Sequence, residues 1–199
     1  MPYRKKELIM EFLKALSTRR SYYHINKTLP VPEETVIETV QAVTEATPDA
    51  FNMKSARTVV VLGNKQDLLW DAVYDVFGGK VAREKIDSFK NGAGTILYFI
   101  DETVVTAMQK NVPAYAHNFP VWANQANGML QFNLWTALRN LGVGASLQHY
   151  NPVIDETVKR LFEIPKDWTL IAEMPFGGIE AEPDPKEKEE ISRRVWIKK

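Results

Sequence analysis

The sequence contains no cysteine, which excludes disulfides, thiol redox chemistry, Cys-ligated zinc and iron–sulfur clusters. Its three histidines, His24, His117 and His149, are scattered and follow no metal-ligand spacing, so no metal site is expected. Neither a Walker loop nor a Gly-x-Gly-x-x-Gly run after a predicted strand is present. A Rossmann-type site for a pyridine nucleotide is therefore not expected.

Charge imbalance and long apolar runs are also missing. Lys+Arg and Asp+Glu are both 25, which gives a formal net charge of +0. Nucleic acid and anionic membrane surfaces are therefore not expected as partners. No run approaches the roughly 18 apolar residues of a spanning helix, and the first residues lack the apolar core of a signal peptide. We expect a cytoplasmic protein without a membrane segment.

The chain has 199 residues, of which 45% are hydrophobic, and this predicts one α+β domain over residues 1–199. Apolar residues at helical spacing predict helices, and β-branched runs predict buried strands. The predicted helices cover residues 6–17, 32–43, 65–76, 81–89, 120–141 and 154–162, and the strands cover 58–62, 93–100, 144–148 and 169–175. Residues 181–199 are predicted as an extended C-terminal arm, whose β-like end at 193–197 would dock on another surface.

A basic tripeptide, Arg19-Arg20-Ser21, follows the first predicted helix. Two guanidinium groups and a hydroxyl at this spacing form a compact clamp for an anion such as phosphate, because the planar guanidinium fork matches its oxygens. The alternative is a solvated basic turn at the end of a helix. Because the net charge is zero, a ligand anion would have to be met locally by residues such as these.

Two further segments are typical of a ligand site. Residues 47–57 hold the proline, asparagine and small residues of a loop that enters a buried strand, although a plain helix-to-strand connection would use similar residues. Gly144-Ala145-Ser146 follows the longest predicted helix, and small residues let backbone approach a planar ring closely. A tight turn alone would need only Gly142.

In this order and at this spacing, the three segments resemble the FMN-dependent nitroreductase family. The long helix and the stretch after Gln148 are similar to its small, Frm2-like branch. The resemblance implies that basic residues in the tail complete the phosphate site, either Lys186 with Lys188 or Arg193 with Arg194. The residues that it implies for binding FMN are Arg19, Arg20, Ser21, Tyr23, Pro48, Asp49, Ala50, Asn52, Lys54, Ala145, Ser146, Leu147, Lys188 and Arg194.

Three departures from the family pattern belong to this interpretation. Tyr23 stands where a second basic residue is common, Asp49 replaces a serine, and Lys54 replaces a glutamine. A lysine near the pyrimidine edge of the flavin would stabilise negative charge on its reduced form. This role for Lys54 is a hypothesis.

The resemblance also implies a fold, an assembly and a reaction. The fold is a three-layer α-β-α sandwich with a mostly antiparallel sheet. The assembly is a homodimer with two FMN sites at its interface, in which the loop at residues 48–54 reaches the flavin held mainly by the partner subunit and the C-terminal segments are exchanged. The flavin N5 atom would pass hydride from NADH or NADPH to a nitroaromatic or quinone by a ping-pong mechanism, with no catalytic side chain. Phe51, Phe119 and Trp122 are the expected substrate-lining residues.

Two other interpretations stay open. The first is a flavin- or small-molecule-binding sensor on the same fold with little turnover. The second is a non-enzymatic interaction module in which Arg19 and Arg20 are surface charges.

Overall fold

The computed structural model describes residues 13–199. Most of the helix predicted over residues 6–17 lies outside this part, and its described end is helical over residues 13–18. No helix in the described part combines the length and the hydropathy needed to cross a membrane.

One antiparallel sheet forms the middle layer. Its strands are β1 (Ile25–Asn26), β2 (Ala56–Leu62), β3 (Gly94–Asp101), β4 (Gly144–Ala145) and β5 (Trp168–Ile179). They run in the order β1-β5-β3-β2, and β4 also pairs with β5. Every residue of β3 is buried, which explains its nearly continuous apolar sequence.

Helices cover both faces of the sheet. They are α1 (Glu33–Ala46), α2 (Asn64–Phe77), α3 (Arg83–Lys90), α4 (Glu102–Asn111), α5 (Phe119–Asn140) and α6 (Asp155–Phe162). The cluster on one face joins α1 and α5 to Ile96 and Tyr98 of β3. The cluster on the other face joins α2, α3 and α6 to Leu97 and Phe99. Alternate residues of β3 thus supply the two cores, and the predicted α-β-α layering is confirmed.

Helix boundaries follow the local signals that predict them. Pro32 precedes α1, whose first turn carries Glu33 and Glu34 where the helix dipole favours acids. Gly78 ends α2 in the left-handed conformation with φ 53°. Gly142 follows α5 at φ 80°, the left-handed conformation in which a glycine commonly ends a helix.

The structure differs from the prediction in four places. The strand predicted over residues 144–148 is reduced to Gly144–Ala145, followed by an isolated bridge from Gln148 to Glu173. The α4 helix was not predicted; Asp101 caps it by accepting a hydrogen bond from Thr103 N–H at 3.0 Å. The short β1 strand was also missed, because two residues carry no periodicity. The β-like segment expected at residues 193–197 is wrong for this chain, since a single helical turn, Ile191–Arg193, leads into irregular backbone there. Within the described residues this segment pairs with no strand, and an unpaired strand is not stable.

Candidate functional site

The arginine segment, residues 19–21, lies directly against β4. Ser21 forms a parallel bridge with Ala145, and Tyr22 N–H donates to the Ala145 carbonyl at 3.0 Å. The indole Nε1–H of Trp135 donates to the same carbonyl, also at 3.0 Å. The fold therefore brings together two of the three segments that the sequence marks as a ligand site.

Gly144 is required for this close approach. A Cβ built at Gly144 would lie 2.7 Å from Ile179 Cγ1 and 3.1 Å from Tyr22 Cβ. The first distance is shorter than real Cβ contacts allow and the second is tight, so any other residue would require Ile179 of β5, and Tyr22 next to the arginine segment, to shift. The small residues predicted for this stretch have a packing reason within the chain itself.

The edge segment, residues 144–150, presents backbone N–H groups to its outer side. Ser146 N–H donates to the Pro175 carbonyl at 3.2 Å, and Gln148 N–H donates to the Glu173 carbonyl at 2.7 Å. Because alternate residues of a strand face opposite neighbours, the N–H groups of Leu147 and His149 point away from β5. Ala145 and Ser146 are fully buried, backbone included, so within one chain neither residue presents an exposed atom to a ligand.

The two arginines carry donors that the described residues leave unused. The Arg19 guanidinium lies 4.1 Å from the centre of the Trp135 ring. Burial, and then the charge of Arg20, lowers the pKa of Arg19. The buried Nε atoms of both arginines lack a hydrogen-bond partner within residues 13–199. A bound anion would supply the missing acceptor and offset both charges, so the donor set fits a phosphate group.

The C-terminal arm contacts the arginine segment and Tyr22. The guanidinium of Arg20 donates to the Asp184 carbonyl, and the Tyr22 hydroxyl donates to Glu182 Oε2 at 2.9 Å. Lys188 and Arg194 follow these contacts along the arm and are exposed. Tyr23 lies elsewhere, since its ring centre is 6.3 Å from that of Phe89 on the other face of the sheet.

The proline loop, residues 48–54, is shaped by Asp49. Its carboxylate accepts hydrogen bonds from Ala50 N–H, Ser55 N–H and Ser55 Oγ–H, each at 2.7 Å. The backbone that follows is left-handed at Phe51, Asn52 and Lys54, with φ of 54°, 52° and 56°. Such conformations are unfavourable for side chains larger than glycine, and runs of them cluster at functional sites.

A cleft of about 400 Å³ opens beside the proline loop. Its walls come from the loop, the start of β2 and α5, and they include Pro48, Asn52, Lys54, Arg57 and Leu130. No residue of the arginine segment or of the edge segment lines it. Within one chain, the predicted cofactor residues thus form two groups rather than one site.

An aromatic cluster, made of Phe51, Tyr115, Phe119 and Trp122, lies beside the loop. The Phe51 ring is stacked on Trp122 at 5.8 Å between centres and is 56% exposed. Phe119 meets Phe51 edge-on at 5.4 Å but is fully buried. Its predicted substrate-lining role is therefore corrected: Phe119 belongs to the core and supports the exposed rings.

Sequence reasoning missed three contributors to these two groups. Tyr115 joins the aromatic cluster, and Trp135 and Arg139 support the arginine segment. Arg139 Nε–H donates to the Thr18 carbonyl at 3.3 Å. Because Trp135 and Arg139 are four residues apart, they share a face of α5, and that spacing was a usable signal. Within the described residues, no group of three or more His, Asp or Glu side chains is arranged to hold a metal ion.

Comparison with known proteins gives a consistent result. The sequence profile described as "Nitroreductase family" matches residues 16–178. The chain is 34% identical over 178 residues to nitroreductase FRM2 of Saccharomyces cerevisiae, covering 88% of this chain and 91% of that protein. Nitroreductase CinD from Lactococcus lactis, solved in complex with chloramphenicol, superposes with a TM-score of 0.90 at 40% identity, covering 94% of this chain and 100% of CinD. CinD in complex with 4-nitrophenol gives a TM-score of 0.87 at 39% identity, with the same coverage of both chains.

Proposed function

Because the chain belongs to the nitroreductase family, we propose that it is an FMN-dependent NAD(P)H oxidoreductase that reduces nitroaromatic or quinone-type acceptors. Membership of this family identifies the chain as a nitroreductase-type oxidoreductase. The cofactor, the electron donor and the acceptors are the parts that this proposal adds.

One observation carries the choice of FMN. The arginine segment is bridged to Ala145 of the edge segment, and the Nε atoms of Arg19 and Arg20 lack a partner among the described residues. A ligand that combines a phosphate with a flat, hydrogen-bonding ring system suits this pairing of cationic donors with outward backbone N–H groups. FMN has both parts.

The roles of the chain's own residues follow from this arrangement. Arg19, Arg20 and Ser21 would hold the phosphate, and the backbone of Leu147 would lie against the flavin. Lys188 or Arg194 would join the phosphate site through the C-terminal arm. When bound, FMN supplies hydride transfer at N5 from NADH or NADPH to the acceptor in a ping-pong sequence.

The proline loop would complete the site from a second copy of the chain. In one chain it lines a separate cleft together with Lys54 and Arg57. An apolar stripe of α5, formed by Val121, Met129 and Phe132, is exposed. The arm ends in the exposed apolar residues Val195, Trp196 and Ile197. A homodimer would bury both surfaces, so we include it in the proposal.

The acceptor class rests on the aromatic cluster. Phe51 and Trp122 offer stacked, partly exposed rings, and flat aromatic acceptors pack well on such a surface. CinD was solved with 4-nitrophenol, which is a nitroaromatic compound. We therefore expect 4-nitrophenol and related nitroaromatics to be bound by this chain.

The first test is the visible absorption spectrum of the purified protein, with the released chromophore identified by mass. We expect flavin bands from FMN at about one per chain, followed by NADH or NADPH oxidation that depends on a nitroaromatic or a quinone. FMN binding without turnover would support a flavin-binding sensor instead. No flavin after incubation with excess FMN would refute the proposed cofactor.

A further inference from the structure

The buried carboxyl group of Glu173 forms a hydrogen bond with the edge segment. Glu173, in β5, is fully buried, and its backbone N–H and carbonyl both pair with Gln148. Its Oε2 accepts a hydrogen bond from Tyr150 N–H at 3.0 Å. Backbone and side chain of this one residue therefore hold two successive inward N–H groups of the edge segment, those of Gln148 and Tyr150.

The surroundings of Glu173 do not support a negative charge. Leu97 of β3 lies directly opposite it, and the neighbouring core contains Tyr150 and Ile154. Within residues 13–199, no lysine, arginine or histidine forms an ion pair with it. An unpaired carboxylate in such a place is strongly disfavoured, and the group keeps its proton instead.

Several buried polar atoms nearby lack a hydrogen-bond partner. Among the described residues they are Glu173 Oε1, Asn151 Oδ1, Asp155 Oδ1 and the Tyr150 hydroxyl, which can donate or accept. The Asn151 amide donates to the Leu170 carbonyl, so this side chain faces β5. A protonated Glu173 can donate as well as accept, whereas a carboxylate only accepts, so a proton on Glu173 widens the pairing open to these atoms.

We propose that Glu173 is a positioning residue that carries a proton at neutral pH and, through Tyr150 N–H, fixes the edge segment whose outward N–H groups would face the flavin. The hydrogen bond between Glu173 and the edge segment and the protonation of Glu173 do not depend on a bound cofactor. Only the last clause rests on the proposed function.

The electrostatics agree with the geometry. Burial raises the pKa of Glu173 to about 8; the Tyr150 N–H offsets part of the rise, and the charge of Asp155 adds to it. Burial also raises the pKa of Asp155, against the opposing effect of Lys159. Burial, and then the charges of Glu173 and Tyr23, raises the pKa of Tyr150 to about 12.

Glu173→Gln and Glu173→Leu separate the two parts of the proposal. Glutamine keeps an acceptor for Tyr150 N–H and a donor, but it cannot titrate, whereas leucine removes the acceptor. We expect the infrared band of a protonated carboxyl in the wild-type protein at pH 7, its loss in Glu173→Gln, and its retention in the exposed control Glu156→Gln. Absence of a band that Glu173→Gln removes would overturn the proposal.

Hydrogen exchange at the Tyr150 amide tests the hydrogen bond between Glu173 and the edge segment, and it needs no cofactor. We expect exchange about tenfold faster in Glu173→Leu and nearly unchanged in Glu173→Gln, since one neutral hydrogen bond is lost only in the first. If Glu173→Leu does not fold, the wild-type protein is compared with Glu173→Gln between pH 7 and pH 9.5, after correction for intrinsic exchange rates. Ionising the buried carboxyl lowers the free energy of opening this part of the sheet, even though a carboxylate accepts from Tyr150 N–H more strongly. Faster exchange at high pH in the wild type alone therefore supports the proposal, and equal behaviour overturns it.

The midpoint potential of bound FMN tests the link to the flavin. A shift in Glu173→Leu, with Glu173→Gln close to the wild type, is the expected result. An unchanged potential in both variants would overturn the positioning role. If the wild-type protein binds no FMN, the proposed function fails, and the infrared and exchange results still decide whether Glu173 holds the segment.

Discussion

The sequence predicts that the arginine segment and the proline loop serve one site at a dimer interface, and within one chain the structure places them against different faces of α5. Arg19 lies over Trp135, and Thr47, at the entry to the loop, accepts a hydrogen bond from Asn133. The first group is cationic and joined to the sheet, and the second is a strained loop beside a separate cleft. One chain thus holds the predicted cofactor residues in two separate groups, and the proposed homodimer would pair each group with its complement.

The arginine segment should give the largest effect. In Arg19→Ala with Arg20→Ala, we expect FMN affinity to fall at least about a hundredfold, because two charge-assisted phosphate contacts are lost. The measurement is fluorescence titration with FMN. Arg160→Ala on α6 removes an exposed arginine on another surface and should bind like the wild type. Equal affinity in the double variant would show that these arginines are surface charges.

Mixing two inactive variants tests whether the halves pair across a dimer. The arginine double variant is unfolded and refolded together with a loop variant that carries Asn52→Ala and Lys54→Met. Random pairing leaves one intact site in each mixed dimer, so nitroaromatic reduction should return to about a quarter of the wild-type level. Each variant refolded alone is the control. No recovery, with mixed dimers present by mass, would mean that each site lies within one chain.

Glu173 should make the stability of the sheet beneath the edge segment depend on pH. Its pKa is about 8 in the folded protein, against an ordinary value of 4.5. Between these values the folded chain holds a proton that the unfolded chain has released, so the free energy of unfolding falls as pH rises. We expect a loss of roughly 3–5 kcal/mol between pH 5 and pH 8.5, measured by urea unfolding. Glu173→Gln should remove this loss, and equal pH profiles would contradict the buried proton.

The features that could be predicted from sequence are those set by residues close together in the chain. The helix ends, the buried strands and the arginine segment come from short-range signals such as Pro32, Gly142 and the pair Arg19-Arg20. Other contacts depend on which strands are neighbours, and periodicity in one segment carries no such information. The bridge from Ser21 to Ala145 and the carboxyl of Glu173 under Tyr150 were beyond reach for this reason.

Gly144→Ala should weaken the packing of the arginine segment against the edge segment. The added methyl group would meet Ile179 and Tyr22, and overpacking of this kind destabilises by about 1–3 kcal/mol. FMN affinity should fall with it, since the arginine segment must move. Gly128→Ala on α5 has no atom within 4 Å of the new Cβ and should be stabilising by about 0.5–1 kcal/mol. Thermal unfolding of both variants checks the contrast, and a stable Gly144→Ala would mean that the close approach is relaxed.

A substitution in the proline loop, Lys54→Gly, should stabilise the protein, and by less than Gly144→Ala destabilises it. Lys54 has φ 56°, which glycine adopts without strain, so Lys54→Gly should raise the free energy of unfolding by up to about 1 kcal/mol. Lys54→Ala is the matched control, because alanine keeps the strain and loses the charge. If Lys54 stabilises negative charge on reduced FMN, both variants should shift the midpoint potential equally while only the glycine variant gains stability. Equal stability of the two would mean that the left-handed backbone stores no strain, and an unchanged potential in both would remove Lys54 from the electrostatics of the flavin.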